Sequence, residues 1–325
     1  MQKILRWGIL STARINRAMI TALRATKRNQ LTAIASRSLE NAREFAGQWK
    51  IPGAYGSYEA LLADPNIDVV YIPLPNHMHV EWVLKAAAAG KHVLCEKPLA
   101  LSVADVDSIL TATRQNRVHI AEGFMYRHHP QTLKVKELVD AGEIGEVGYI
   151  QGSFSFQLDR PEDYRWKAAQ GGGSLWDVGC YPLSYTMLIA GEAPVEVMGW
   201  QKLAPSGVDA TFVGQLRFAS GMLAQIQSSF VLPKFTRVEL RGSTGTIQIP
   251  TPFRSQNDHQ FSLCKDKETV FKVKGVELFR GEVENMAEVI LDGQPPRLPL
   301  EESCQIIRSL VALYQSAQTG KPMLV

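Results

Sequence analysis

Glu96-Lys97-Pro98 ends a short apolar run, Val93-Leu94-Cys95, and puts an ammonium where a β-strand stops. Pro98 bars the α region for the residue before it, so Lys97 is held extended at the strand's C-terminal edge. Ligands of doubly wound sheets bind outside the carboxyl ends of the strands, so a lysine there faces the ligand crevice. The same triplet also suits a solvated lysine and glutamate at the start of a loop. A second pair, Asp177 and Tyr181, stands four residues apart on an apolar helix or its first turn, so both project from one face. Pro182 suits a helix that starts there, since proline is welcome at the first helical position.

Moving a hydride to or from a carbon that bears oxygen requires a group that gives or takes the hydroxyl proton. A phenol, with an unperturbed pKa of ~10, is a poor base at neutral pH, and a nearby ammonium stabilises its phenolate. Lys97 beside Tyr181 would make such a pair, leaving Asp177 to anchor a substrate hydroxyl or orient Lys97. An aromatic on a run as apolar as 181–189 equally serves as core. Arg165 and Trp166, just before Gly171-Gly172-Gly173, suit either a sugar contact or a loop lid.

The elements that must position these groups alternate over the first third of the chain. Strands are expected at 3–10, 30–36, 67–72, 93–95 and 118–122, separated by helices to about Ala25, over 39–49 and 58–63, from about Met78 to Ala89, and from Ser102 to about Asn116. Such alternation describes a parallel sheet covered on both faces. Beyond Gly123 come a helix over about 131–141 and a strand over 147–156. After the glycine-rich stretch and an apolar helix to about Ala190, seven strands follow at 195–201, 210–218, 222–230, 237–241, 246–249, 260–264 and 269–273. Helices over about 279–291 and 301–317 close the chain. The fold class is therefore α/β with a second α+β domain on a large, mostly antiparallel open sheet. The division falls at 1–123 and 124–325. With few helices to cover it, that sheet is expected to bury a bare face against a second subunit.

The first βα turn reads Gly8-Ile9-Leu10-Ser11-Thr12-Ala13-Arg14-Ile15, with Ser11 and Ala13 where a G-x-x-G-x-G pattern has glycines. Small residues still let the backbone approach a pyrophosphate, and the following helix offers free N–H groups and a positive dipole end. The second strand ends in Ser36-Arg37-Ser38 rather than the carboxylate that holds the ribose of NAD. Two hydroxyls and a guanidinium suit a 2′-phosphate, so the cofactor is expected to be NADP. The same residues also read as a polar helix cap with an exposed arginine. Leu74-Pro75-Asn76 stiffens a loop at the same sheet edge, where Asn76 bonds a ribose or caps the next helix. His77 and His79 lack a carboxylate or cysteine at ligand spacing, and no metal is assigned.

At 325 residues the chain is long enough for two domains, and 45% hydrophobic with 21% charged residues is ordinary for a globular protein. A formal net charge of +3, scattered along the chain, argues against a nucleic-acid surface. Four separated cysteines argue against a zinc site or a disulfide scaffold and fit a reducing cytoplasm. The stretch 4–10 is broken by Arg6 and lacks a signal-peptide core, and no run approaches the ~18 apolar residues of a membrane span.

With Gly8–Ile15, Pro75-Asn76 before His79, Glu96-Lys97-Pro98 and Gly171–Tyr181 in that order, the chain resembles the glucose–fructose oxidoreductase, inositol dehydrogenase and MocA family over essentially its whole length. The resemblance implies a Rossmann domain followed by an α+β substrate-binding domain whose open sheet mediates oligomerisation, as a homodimer or homotetramer. It implies that Lys97 lies beside the nicotinamide and that Leu74, His79, Glu96 and Pro98 belong to the cofactor site. Many members carry a catalytic histidine where this chain has Tyr181. Phe124-Met125-Tyr126-Arg127 and the triple glycine look closest to the dihydrodiol dehydrogenase, NADP-linked xylose dehydrogenase and sugar ketoreductase branches. Met125 and Arg127, with Arg165 and Trp166, are the expected substrate contacts. The implied activity is NADP-dependent hydride transfer at a hydroxyl carbon of a sugar-like small molecule, an aldopyranose such as xylose. The alternatives are reduction of a nucleotide-linked keto sugar and a non-catalytic NADP-binding regulator.

Overall fold

In a computed structural model, described for residues 3–253 and 258–325, the chain forms two compact units. The first comprises residues 1–125 and 277–303. Its six parallel strands are β1 (Leu5–Leu10), β2 (Asn29–Ala35), β3 (Gly53–Tyr55), β4 (Val69–Ile72), β5 (His92–Glu96) and β6 (Ile120–Gly123), in the order β3-β2-β1-β4-β5-β6. The helices between them are α1 (Asn16–Arg24), α2 (Leu39–Trp49), α3 (Tyr58–Leu62), α4 (His79–Ala88) and α5 (Val103–Asn116). The strands are near-continuous apolar runs because helices cover both faces of a parallel sheet. Trp7, Ile9, Val69, Tyr71, Ile72, Val93 and Cys95 are all fully buried. Gly8 is needed for packing, since a Cβ there would come 2.6 Å from a Leu61 methyl on α3. Ile72 pairs with Cys95, and Cys95 with Glu122, so β4, β5 and β6 end level and bring their loops together at one edge.

The second unit comprises residues 126–276 and 304–325. After α6 (Pro130–Asp140) and β7 (Val147–Ser155), a π-helical turn over Leu175–Gly179 runs directly into α7 (Cys180–Ala190). The strands β8 (Glu196–Leu203), β9 (Asp209–Arg217), β10 (Leu223–Ser229), β11 (Phe235–Gly242), β12 (Thr246–Ile249), β13 (His259–Cys264) and β14 (Glu268–Val273) follow. With β15 (Met323–Leu324) they complete a nine-stranded sheet in the order β14-β13-β12-β11-β7-β10-β9-β8-β15. Every pair is antiparallel except β10 with β7. Almost every side chain of α7 is buried against the sheet, and Gly152 admits Pro182 where a Cβ would come within 2.6 Å of its ring. Opposite one another on β8 and β9, Gly199 and Gly214 let Leu313 of α9 (Leu300–Thr319) reach the sheet backbone. The alternate positions form the other face and leave Trp200, Leu223 and Phe235 about half exposed.

Pro182 lies in the first turn of α7, as expected, with the π-helical turn over Leu175–Gly179 leading into it. Two features differ from the sequence reading. β3 is an extra edge strand of three partly exposed residues, too short to leave an alternating signature. Residues 277–303, which a division at 123/124 gives to the second domain, cluster with the first unit. Their helix, α8 (Arg280–Asp292), buries Val283, Met286 and Ala287 and is tied by Asp292 to Arg28 at 2.6 Å. No helix of the described residues is long and apolar enough to cross a membrane.

Candidate functional site

The turn after β1 bends sharply at Ser11. Ser11 takes a φ of +86°, a left-handed conformation usually left to glycine, and its N–H donates to the Ala35 carbonyl. Its carbonyl accepts from the Asn16 amide at 2.7 Å, and its hydroxyl accepts from the Ala13 N–H at 3.3 Å. Ser11, Thr12, Ala13 and Ile15 stay partly exposed and Arg14 fully so, while α1 has neither a side-chain cap nor an acidic residue in its first turn. Nothing there competes with an anion for the helix N-terminus.

At the end of β2 the capping alternative is partly right. Ser38 caps α2 by accepting the Asn41 N–H, and the Ser36 hydroxyl accepts the Ser38 N–H. Arg37 remains exposed, and among the described residues no carboxylate is bonded to it.

Around β5 the structure shows how Lys97 is held. Tyr71 donates to Glu96 at 2.6 Å, and burial together with the Glu96 charge raises the Tyr71 pKa so that it stays a donor. Glu122 accepts the Leu99 N–H at 2.8 Å and fixes the chain beyond Pro98. Lys97 itself is partly exposed and its peptide to Pro98 is cis. Asn76 opens a 3-10 turn, Asn76–Met78, and is not the cap of α4. The His79 ring is completely buried, with Nδ1 2.7 Å from the Pro98 carbonyl and Nε2 2.7 Å from the Leu74 carbonyl. Both nitrogens face backbone carbonyls, so His79 joins the loop after β4 to the segment after β5. Tyr71, Glu122 and the His79 clamp have no local sequence signature, because each depends on which strands become neighbours.

In the second unit Arg165 and Asp177 form an ion pair, Nε to Oδ2, at 2.7 Å, and Arg165 also contacts Asp163 at 3.2 Å. Burial opposes the Arg165 charge, yet Asp177, Tyr164 and Asp163 outweigh it and hold the guanidinium protonated beyond its ordinary range. The Gly173 N–H donates to the Arg165 carbonyl and the Gly173 carbonyl accepts from the Asp177 N–H, so the loop and the helix start are bonded together. Gly172 must be glycine, since a Cβ would meet the Arg165 carbonyl at 2.4 Å. Tyr181 is 1% exposed, its ring 5.4 Å from Phe154, 5.5 Å from Phe253 and 5.8 Å from Tyr126 between centroids. That packing holds the ring in one orientation. Trp166 remains partly exposed, edge-on to Phe230. Met125 and Arg127 are buried, and Arg127 donates to the Ser184 carbonyl of α7 at 2.8 Å. Among the described residues no three His, Cys, Asp or Glu side chains gather as a metal site.

Residues 5–124 match the family model described as an oxidoreductase family with an NAD-binding Rossmann fold, and residues 132–248 match the GFO/IDH/MocA C-terminal domain. The chain is 38% identical to a D-xylose 1-dehydrogenase (NADP(+)) of Haloferax volcanii, covering 97% of this chain and 98% of the relative. It is 32% identical to a dTDP-3,4-didehydro-2,6-dideoxy-alpha-D-glucose 3-reductase of Actinomadura kijaniata, covering 97% and 95%. The solved aldose-aldose oxidoreductase of Caulobacter crescentus, complexed with glycerol, superposes with a TM-score of 0.92 at 25% identity, covering 99% of this chain and all of that one. With both of its domains matched in sequence and fold, the chain belongs to the GFO/IDH/MocA family of oxidoreductases.

Proposed function

We propose that the protein is an NADP-dependent oxidoreductase that moves a hydride between the nicotinamide and a hydroxyl- or carbonyl-bearing carbon of a sugar, an aldopyranose such as xylose. The observation that carries this reading is the Arg165–Asp177 ion pair, whose Asp177 stands four residues before Tyr181. A carboxylate neutralised by a guanidinium is a weak base but a good acceptor for a sugar hydroxyl, which leaves the proton transfer to Tyr181.

The residues fit NADP. The Ser11–Ala13 turn and the start of α1 suit the pyrophosphate, and the exposed Arg37 suits a 2′-phosphate. Bound there, NADP supplies the hydride acceptor or donor. In the oxidative direction Tyr181 takes the substrate hydroxyl proton, and in the reductive direction it returns one. Lys97 and Tyr181 are the two groups we assign to this proton chemistry, with Glu96 held by Tyr71 to fix the strand end that carries Lys97. The identity to an NADP-linked xylose dehydrogenase supports the aldose reading. The identity to a keto-sugar 3-reductase favours, as the second reading, reduction of a nucleotide-linked keto sugar. The bare sheet face with Trp200, Leu223 and Phe235 supports a homodimer or homotetramer.

The test is reduced nicotinamide formation with NADP and a panel of aldoses. Turnover is expected, and Tyr181→Phe should lower kcat by ~10²–10⁴ while NADP still binds. No turnover on any aldose, with turnover on a nucleotide-linked keto sugar, moves the assignment to the second reading. Full turnover by Tyr181→Phe removes Tyr181 from the chemistry.

A further inference from the structure

A buried polar cluster in the second unit lies directly beneath the segment that carries Asp177 and Tyr181, and none of its members has a role in the proton chemistry above. At its centre is Asp209, the first residue of β9, 1% exposed. Its Oδ1 accepts from the Tyr314 hydroxyl of α9 at 2.6 Å. Its Oδ2 accepts from the Ser174 hydroxyl at 2.7 Å and from the Leu175 N–H at 2.8 Å. The Ser174 hydroxyl also lies 2.9 Å from that of Ser228 on β10.

These bonds converge on the one place where the loop becomes the helix. Gly173 has a φ of +122°, and a Cβ there would fall 2.2 Å from Asp209 Oδ1 and 2.7 Å from the Tyr314 hydroxyl, so the backbone rests directly on the pair. Gly173 is also the residue that bonds Arg165 on one side and Asp177 on the other. The Tyr314 ring lies tilted against Trp176, next in sequence to Asp177, with centroids 5.3 Å apart. A carboxylate at a helix start complements the dipole, and a buried one held by three such donors is rigid only while all of them are present. Burial raises the Asp209 pKa against the pull of those donors, and burial and Asp209 together raise that of Tyr314, which keeps the phenol as donor.

We propose that Asp209, locked by Tyr314, is the positioning residue that sets the backbone of 173–181 and so places Asp177 and Tyr181. This rests on the reading of those two residues as substrate-facing groups. A carboxylate on β9 acts here through bonds to Ser174 and Leu175 and touches no substrate.

The experiment uses Tyr314→Phe and Asp209→Asn in the full-length protein, with hydrogen exchange across 171–182 read beside steady-state kinetics and NADP binding. Tyr314→Phe should lower kcat by about tenfold and Asp209→Asn by about a hundredfold, with the NADP Kd within about twofold. Exchange should quicken over 173–181 and not elsewhere in the second unit. Unchanged exchange over 173–181, an increase spread evenly through the unit, or wild-type kcat in both variants would overturn the proposal. Tyr181→Phe, measured in parallel, decides the acid–base role separately, because its outcome leaves the exchange result standing.

Discussion

Arg165 Nε lies 2.7 Å from Asp177 Oδ2, and the two residues are joined a second time through the backbone of Gly173. A bond between charged groups is worth ~1.5–3 kcal/mol, and removing either partner costs the other that bond. Arg165→Met and Asp177→Asn should therefore each lower kcat/KM by ~10–100-fold, and the double variant should cost much less than the product. Steady-state kinetics at saturating NADP decides it; independent, multiplying losses would mean that the pair does not work as a unit.

Arg37 stands exposed at the end of β2, with both neighbouring serine hydroxyls engaged to backbone. If it forks onto a 2′-phosphate, its removal deletes charge-assisted bonds that only NADP can make. Arg37→Ala should raise KM for NADP by ~10–100-fold and leave KM for NAD nearly unchanged. Parallel losses with the two cofactors would rule out the assignment.

What the sequence revealed follows from what is local. β5 was readable because Val93–Cys95 is an apolar run stopped by Pro98, and the strands of the second unit because their apolar residues alternate between hairpin turns. β3 was not, being three residues whose pairing with β2 decides their conformation. The return of α8 to the first unit buries Val283, Met286 and Ala287 against residues far off in sequence, which no local pattern encodes. The same limit applies at the candidate site. Lys97, Asp177 and Arg165 carry chemistry in their own side chains and were visible. Asp209 and Tyr314 matter only because β9 and α9 meet beneath Gly173, and His79 because two loops converge on its ring.

His119 and His92 couple stability of the first unit to acid. The His119 N–H donates to His92 Nδ1 at 2.8 Å, so that nitrogen must be unprotonated. Burial, then the neighbouring His92, lowers the His119 pKa to about 4, and burial lowers that of His92. The unfolded chain takes up protons from about pH 6.5 downward while the native state does not, so stability is complete above that pH and is lost between there and about 4. The His119 contribution is on the order of 3 kcal/mol across that window. His119→Asn should flatten this slope in denaturant titrations at pH 7, 5.5 and 4.5. An unchanged slope would assign acid unfolding to other groups.

Glu282 on α8 couples stability to pH in the opposite sense. It is 2% exposed, neither carboxyl oxygen has a hydrogen-bond partner among the described residues, and burial, then the charges of Glu96 on β5 and Glu277 before α8, raise its pKa well above the ordinary value. Tyr71 of β4 faces the same cluster but gives its hydroxyl to Glu96. The native state thus keeps a proton that the unfolded chain releases near pH ~4.3, so rising pH favours unfolding, by up to about 1.4 kcal/mol per unit until the native group ionises. Glu282→Gln has the same shape and no proton to lose. Its advantage over the wild type should be small at pH 5 and widen at pH 6.5 and 8 in denaturant unfolding, because only the wild type is penalised. A gap that stays constant with pH would mean that Glu282 is already ionised in the folded protein, and the acidic cluster would then need a cation to hold it.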